Sequence, residues 1–329
     1  MRSGFTFGFI LAAVLLTTSA WPSDSLAQTS IPRVGIITGA AATDDPRSLR
    51  FEELRRELTT QGWIDGRNVS IEMRGARRDP SRFAAAAREL VRLNVDVIWA
   101  DSAPALRASY AATRTIPIVA IDFTTDPIAA GYVKSYGRPG GNVTGVFLDA
   151  PEFSGKWLEL LRAMVPGLSR VAVLWDPNPG PAHLKALQAI APSFGVELEV
   201  LEVRTPEDID DAASKFRGRP QALIILPSPM MFAENARLVR LTTIQRLPAT
   251  SIFRVFAEAG GVISYGPDQG AAVQRNAVLI TKILRGAKPG DLPIERPTRF
   301  ELVVNLKAAK ALNLTIPESV LAGADKVIR

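Results

Sequence analysis

The sequence predicts an α/β protein of two lobes, each built on a parallel sheet, facing each other across a cleft. Two observations predict it. Short β-branched runs alternate with amphipathic stretches at the spacing of βαβ units. The chain also spells one phrase twice. Arg33-Val34-Gly35-Ile36-Ile37-Thr38 returns as Arg170-Val171-Ala172-Val173-Leu174-Trp175, and Val95–Trp99 with Asp101-Ser102-Ala103-Pro104 returns as Ala222–Leu226 with Pro227-Ser228-Pro229. Ile116-Pro117-Ile118-Val119 returns as Leu247-Pro248-Ala249-Thr250, and Gly140–Gly145 returns as Gly260–Tyr265. Order and spacing match, and a cleft between like lobes is where small molecules bind.

The elements follow in order. Arg33–Thr38 is a short β-branched run after Pro32, a buried strand, and a loop 39–45 follows it. Leu49–Gln61 has the spacing of an amphipathic helix, with Gly62 as its stop. Asn68–Met73 alternates as a strand does, and Pro80–Leu93 is a helix with an alanine-rich packing face. Strand Val95–Trp99, helix Pro104–Thr113, strand Ile116–Ile121, a short helix Pro127–Tyr136 and strand Val143–Phe147 complete the first half. The second half opens with helix Glu152–Val165, stopped by Pro166-Gly167. Strands are expected at Val171–Trp175, Glu197–Val203, Ala222–Leu226, Ala249–Ile252 and Val262–Ser264, with helices near Ala182–Phe194, Pro206–Phe216 and Ala233–Arg246. Gln269–Leu284 is one more helix, Thr298–Asn305 a late strand, and Leu306–Leu312 and Pro317–Ile328 terminal helices. Short extended joints between the halves suggest closure about a hinge.

Length and composition fit two cores: 329 residues, 47% apolar, net charge +6. Arginine is spread along the chain and is densest at Arg55-Arg56 and Arg77-Arg78, which reads as a solvated basic surface; a nucleic-acid footprint needs clustering on one face. No nucleic-acid partner is expected. Residues 1–27 read as a secretory signal: Arg2, an apolar run Phe5–Leu16, then Ser25-Leu26-Ala27 before Gln28. A cut after Ala20 also fits. The alternative, an uncleaved anchor, has only a short run where a span needs about 20 apolar residues. The chain has no cysteine, so neither a disulfide nor a lipid-bearing cysteine is available. The mature chain is expected beyond the inner membrane, in the periplasm of a diderm, and not inserted in the membrane.

Ligands of parallel α/β sheets sit off the carboxyl ends of the strands. There the first half offers Thr38, Asp101, Ser102, Asp122 and Asp126, and the second Asp176, Asn178, Ser228, Arg254, Tyr265 and Asp268. Helix N-termini with free amides point to the same place and suit an anion. Ser102 and Ser228 can instead be simple helix caps, and Asp126 and Asp176 turn or cap residues. Trp99, Phe123, Phe147, Trp175 and Tyr265 stand at or near strand ends, either as core or as a wall for a flat or apolar ligand. Enzyme signatures are sparse. His183 is the sole histidine, lies early in a helix, and reads as a surface residue; without cysteine a zinc site is disfavoured. Neither a G-x-S-x-G elbow, a phosphate-binding loop nor a G-x-G-x-x-G fingerprint is present.

A set of further phrases adds to this: Leu58–Val69 (LTTQGWIDGRNV), Ile116–Val119, Arg138-Pro139-Gly140-Gly141-Asn142-Val143-Thr144-Gly145, Lys156–Leu161 (KWLELL), Ser264-Tyr265-Gly266-Pro267-Asp268 and Pro297–Asn305 (PTRFELVVN). With them the chain resembles the substrate-binding proteins of bacterial ABC importers, in the branch related to tryptophan- and tyrosine-binding proteins. The resemblance implies a type I periplasmic-binding-protein architecture: two Rossmann-like lobes joined by a hinge with three crossings. Residues 32–146 plus 268–297 would form the N-terminal lobe, and 147–267 plus 298–329 the C-terminal lobe. The family's ligand loops carry over to Ser102 with Ala103, Asp126, Asn178, Ser228, and Tyr265 with Asp268. Two loops depart from the usual pattern. Asp101-Ser102 stand where Gly and Thr are frequent, and Phe123-Thr124-Thr125-Asp126-Pro127 stands where the family often ends in Gly-Asp-Pro. These departures bear on which ligand is bound, not on how.

The resemblance further implies a small solute, such as an aromatic or other amino acid, bound between the lobes and passed to permease subunits by a monomer that needs no cofactor. An amino acid's carboxylate would meet the helix-end amides near Ser102 and Ala103. Its ammonium would meet Asp126 or Asp268, and its side chain would lie by Trp175, Phe147 or Tyr265. A sensor module of the same fold, an exported enzyme and an adhesive protein are the rival readings.

Overall fold

The internal repeat of the sequence becomes a repeat of topology. In the computed structural model, which describes residues 31–39, 48–76, 81–148 and 151–329 with Met1 and Gly4, the first half forms a sheet of five parallel strands. The signal reading of residues 1–27, the loop 40–45, Arg77-Arg78 and Pro80 lie outside the described residues. The first half runs β1 (Arg33–Thr38), α1 (Ser48–Thr60), β2 (Ser70–Gly75), α2 (Arg82–Arg92), β3 (Val97–Ala100), α3 (Ala103–Ala112), β4 (Ile118–Asp122) and β5 (Val143–Phe147). Its strand order is β2-β1-β3-β4-β5.

Each element has a local cause. Val34, Ile36 and Ile37 are wholly buried because helices cover both sides of β1. In α1, Leu54 and Leu58 face the core. Gly62 ends the helix at φ +92, with Trp63 N donating to Leu58 O at 2.9 Å. The apolar stripe Phe83, Ala86, Ala87 and Leu90 seats α2 on the sheet.

The short helix expected at 127–136 is not formed. Asp126 Oδ1 accepts from Ile128 N and Ala129 N, and Ala130 N reaches Asp126 O, which starts one turn. Gly131 then adopts φ +73 and the turn closes on itself. Tyr110 Oη donates to Gly131 O at 2.9 Å and fixes the turn against α3.

The second half runs α4 (Pro151–Met164), β6 (Arg170–Trp175), α5 (Ala182–Ile190), β7 (Glu197–Glu202), α6 (Pro206–Asp211), β8 (Ala222–Ile225), α7 (Pro229–Ala233), α8 (Asn235–Ile244), β9 (Ala249–Ser251), α9 (Arg254–Glu258), β10 (Ile263–Pro267), α10 (Gln269–Leu284), β11 (Phe300–Asn305), α11 (Leu306–Ala311), α12 (Glu318–Ala322) and β12 (Lys326–Ile328). Its sheet reads β12-β11-β10-β9-β8-β6-β7. The run β7-β6-β8-β9-β10 repeats β2-β1-β3-β4-β5 strand for strand.

Two features of this half differ from expectation. β11 runs antiparallel to β10, with Pro267 opposite Phe300. The chain leaves β10 at its carboxyl end and returns at that same end, so it must run back. The last residues are not helical either. α12 stops at Ala322, Asp325 N donates to Leu302 O, and Asp325 Oδ2 accepts from Leu302 N at 2.8 Å. That clasp lays the β-branched pair Val327-Ile328 alongside β11 as β12.

The chain passes between the sheets three times: from β5 to α4, from β10 to α10, and from α10 back to β11. On the second passage α10 packs against α1, β3, β4 and β5 of the first sheet. On the third, Glu295 N donates to Gly145 O, and Phe147 N to Glu295 O. One apolar cluster is continuous through both lobes. Trp99, Val119 and Val273 belong to it together with Trp157, Val173 and Val304. Separate clusters fill the far face of each sheet, one around Leu90, Leu106 and Phe147, the other around Leu174, Leu238 and Phe256.

Candidate functional site

In a parallel sheet of order 2-1-3-4-5 the chain changes direction between β1 and β3, and the loops that leave those two strands part to open a crevice. The same holds for β6 and β8. That puts Thr38, Asp101, Ser102 and Ala103 on one side, and Trp175, Asp176, Asn178 and Ser228 on the other.

The two serines are set alike but act differently. Ser102 (φ −164, ψ 163) and Ser228 (φ −153, ψ 160) each stand extended before a proline-bearing first helical turn. Ser228 is wholly buried and caps its helix, accepting from Met231 N at 3.0 Å. Ser102 makes no such bond. Its Oγ is buried and meets no partner among the described residues. Ala103, also buried, opens the ten-residue α3 behind it.

Thr38 and Asp101 are buried at their strand ends. The Asp101 carbonyl accepts from Arg50 Nη1 at 2.9 Å. The Arg50 guanidinium also lies over the Phe232 ring, 5.5 Å from its centroid, and Phe232 packs edge-on to Phe253 at 4.9 Å. Arg50 thus links α1 of the first lobe to α7 of the second. A cation over an aromatic face is attracted by the ring quadrupole.

A second link also joins the two lobes. His183, early in α5, is 5% exposed, and its Nε2 stands 3.2 Å from the Phe123 carbonyl that follows β4. This corrects the expectation of a surface histidine: the partner that buries it is 60 residues away in the other lobe. Burial holds its imidazole down at about 4, with the Phe123 carbonyl opposing the shift.

Around Phe123, Asp122 Oδ1 accepts from Thr124 N, Thr124 Oγ1 and Thr125 N, at 2.8, 2.8 and 3.1 Å. Burial raises the Asp122 carboxyl above its ordinary value, and the Thr124 and Thr125 bonds pull the other way. Asp122 is the residue that strand-end reading named without singling out. Its signal was the pair of threonines two and three residues on, which can donate back to it.

The remaining candidates fall elsewhere. Asp126 is half-buried and uses Oδ1 to cap the turn described above. Trp175 is half-buried at the end of β6, its Nε1 donating to Gly180 O at 3.5 Å, and Asn178 is exposed. Asp268 caps α10 through Ala271 N at 3.1 Å and stands 3.7 Å from Arg299. Phe147 is wholly buried in the far-face core of the first sheet. Tyr265 packs against Phe153 and Phe300 and lines a separate cavity of about 360 Å³ with Lys156, Glu159 and Asp325. The seam between the lobes thus holds two links, Asp101 through Arg50 to Phe232 and Phe123 to His183, with Ser102 next in the chain to Asp101, while Phe147 and Tyr265 pack elsewhere. Among the described residues no group of three or more His, Cys, Asp or Glu could hold a metal ion. No helix there is long and apolar enough to cross a membrane.

Known proteins share this plan. A tyrosine-binding protein of Clostridioides difficile is 25% identical over 263 residues, 79% of this chain and 75% of that protein. The crystal structure of an ABC domain from Streptococcus pneumoniae in complex with L-Trp superposes with a TM-score of 0.81 at 26% identity, covering 91% of this chain and 100% of that one. A conserved domain protein from Vibrio cholerae superposes at 0.79 with 25% identity, covering 90% and 99%. The two lobes have the type I periplasmic-binding-protein architecture. The family model for the ABC transporter substrate binding protein matches residues 43–328, and the chain belongs to that family.

Proposed function

We propose that the protein captures an amino acid, of the aromatic class, between its lobes and hands it to the permease of an ABC importer, without chemistry and without a cofactor. One observation carries the reading: the Oγ of Ser102 at the head of α3, buried and without a partner among the described residues. A buried hydroxyl without a partner is costly, and a ligand carboxylate supplies one while the α3 amides share its charge. The relatives named for tyrosine and solved with L-Trp support an aromatic amino acid.

In this reading Asp126 takes the ammonium with the carboxylate oxygen its cap leaves over, or Asp268 takes it with the oxygen that stands 3.7 Å from Arg299. Trp175 is the aromatic wall, and Thr38, Asp101, Asn178 and Ser228 shape the sides. Phe147 and Tyr265 face other surroundings and drop out of first contact. The jaws are residues 32–146 plus 268–297 and 147–267 plus 298–329. Residues 1–27 direct export, and the mature monomer works in the periplasm.

Thermal melting against a library of amino acids and other small solutes tests the proposal. A ligand at a hundred times its dissociation constant adds about 2.7 kcal/mol. Stabilisation by aromatic amino acids is expected; stabilisation by an unrelated class alone refutes the ligand assignment.

A further inference from the structure

We propose that His183 fastens the two lobes in the closed, ligand-holding form, and that its protonation releases them. This deepens the capture reading and rests on it. A carbonyl only accepts, so the 3.2 Å contact with Phe123 O requires the proton on Nε2. Nδ1 is then the bare nitrogen, and it is buried without a partner among the described residues. A second proton has only Nδ1 to occupy, where no group among the described residues accepts it. The closed form therefore holds a neutral ring.

The charged groups nearby leave that conclusion intact. Asp122 and Asp126 flank Phe123, and Asp176 precedes α5. Asp122 Oδ1 is bound to Thr124 and Thr125, Asp126 Oδ1 to Ile128 N and Ala129 N, and Asp176 Oδ1 to Asn178 N. Lys185 lies two residues on in α5, and Arg50 faces the seam from α1 over Phe232. Burial accounts for the low value of about 4 against the opposing pull of the Phe123 carbonyl, and no charge is among its causes.

When the lobes part, the ring meets water and returns to about 6.5. Opening then takes up a proton wherever the pH lies below that value. A group whose value is depressed in the closed form favours closure above 6.5, and the preference is lost as pH falls from 6.5 towards 4. Between pH 7.5 and 5.5 the open form gains up to about tenfold over the closed one.

The sole histidine makes the test direct, since the mature chain without a histidine tag gives one imidazole signal by NMR. The free protein is expected to titrate well above the protein saturated with L-tryptophan. The dissociation constant for L-tryptophan is expected to rise about three- to tenfold from pH 7.5 to 5.5. His183→Gln keeps a donor for the Phe123 carbonyl and does not titrate, so its binding should vary little over that range. Equal titration of the free and bound protein, or equal pH dependence in the Gln variant, overturns the proposal. Should L-tryptophan not bind, the ligand reading falls and the free protein decides. Small-angle scattering is then expected to show the wild type expanding between pH 7.5 and 5.5 and the Gln variant unchanged; parallel profiles overturn the fastening.

Discussion

Replacing Ser102 with alanine is expected to stabilise the free protein and weaken ligand binding, while the same change at Ser228 destabilises the fold. The two residues share an extended backbone and a proline-bearing helix start, so the comparison isolates the hydroxyl. At Ser228 the alanine removes the 3.0 Å bond to Met231 N in a fully buried place. Loss of an N-cap costs about 1 kcal/mol, with 2 as an upper figure. At Ser102 the hydroxyl is buried without a partner among the described residues, a burden of about 1–3 kcal/mol that alanine lifts in part. A gain of about 1 kcal/mol is expected in the free protein. A hydrogen bond to a charged group contributes about 1.5–3 kcal/mol, so affinity for an amino acid should fall at least about tenfold. Urea unfolding of both variants, with calorimetric titration of L-tryptophan and L-tyrosine, reads both quantities. Ser102→Ala destabilising as much as Ser228→Ala, with affinity unchanged, would refute the argument.

Three further outcomes are expected. Asp126→Ala should lose about 1 kcal/mol of stability with its capping bonds to Ile128 N and Ala129 N, and weaken amino-acid binding at least about tenfold; an unchanged dissociation constant removes Asp126 from the site. Asp122 carries a carboxyl raised by burial, so its ionised form is the costly one and the penalty grows as pH rises through the raised value. Asp122→Asn should therefore melt higher than wild type at pH 7 and lose that advantage below about pH 4, and a constant difference across the range counts against it. Gly145 has φ +143, and a Cβ there would stand 2.1 Å from Ala120 O in the neighbouring strand. Gly145→Ala should cost about 3 kcal/mol or more by forcing β4 and β5 apart, and an unmoved urea midpoint would show that the strands yield.

The repeated phrases were legible because what they encode is local. Runs such as Val171–Leu174 are buried on both faces wherever they sit in a parallel sheet, and stops such as Gly62 act through their own φ. Their order along the chain then fixed which strand of one lobe matches which of the other, and both sheets follow the same 2-1-3-4-5 plan. The same property hid the direction of the strand-end aromatics. A strand covered on both faces has no polar alternation, so nothing in Val143–Phe147 tells that Phe147 faces the far core, or in Ile263–Pro267 that Tyr265 faces α4 and β11.

The sequence by itself determined the α/β class, the doubling, the strand ends where a site can form, and the family to which the chain belongs. Only the tertiary structure decided which of two like serines is satisfied, where β11 and β12 pair, and that His183 lies buried against Phe123. The reason is one of range. Propensity, capping and buried runs act within a few residues, whereas the contacts between Arg50 and Phe232 and between His183 and Phe123 join segments that meet only after both sheets have formed and the lobes have come together.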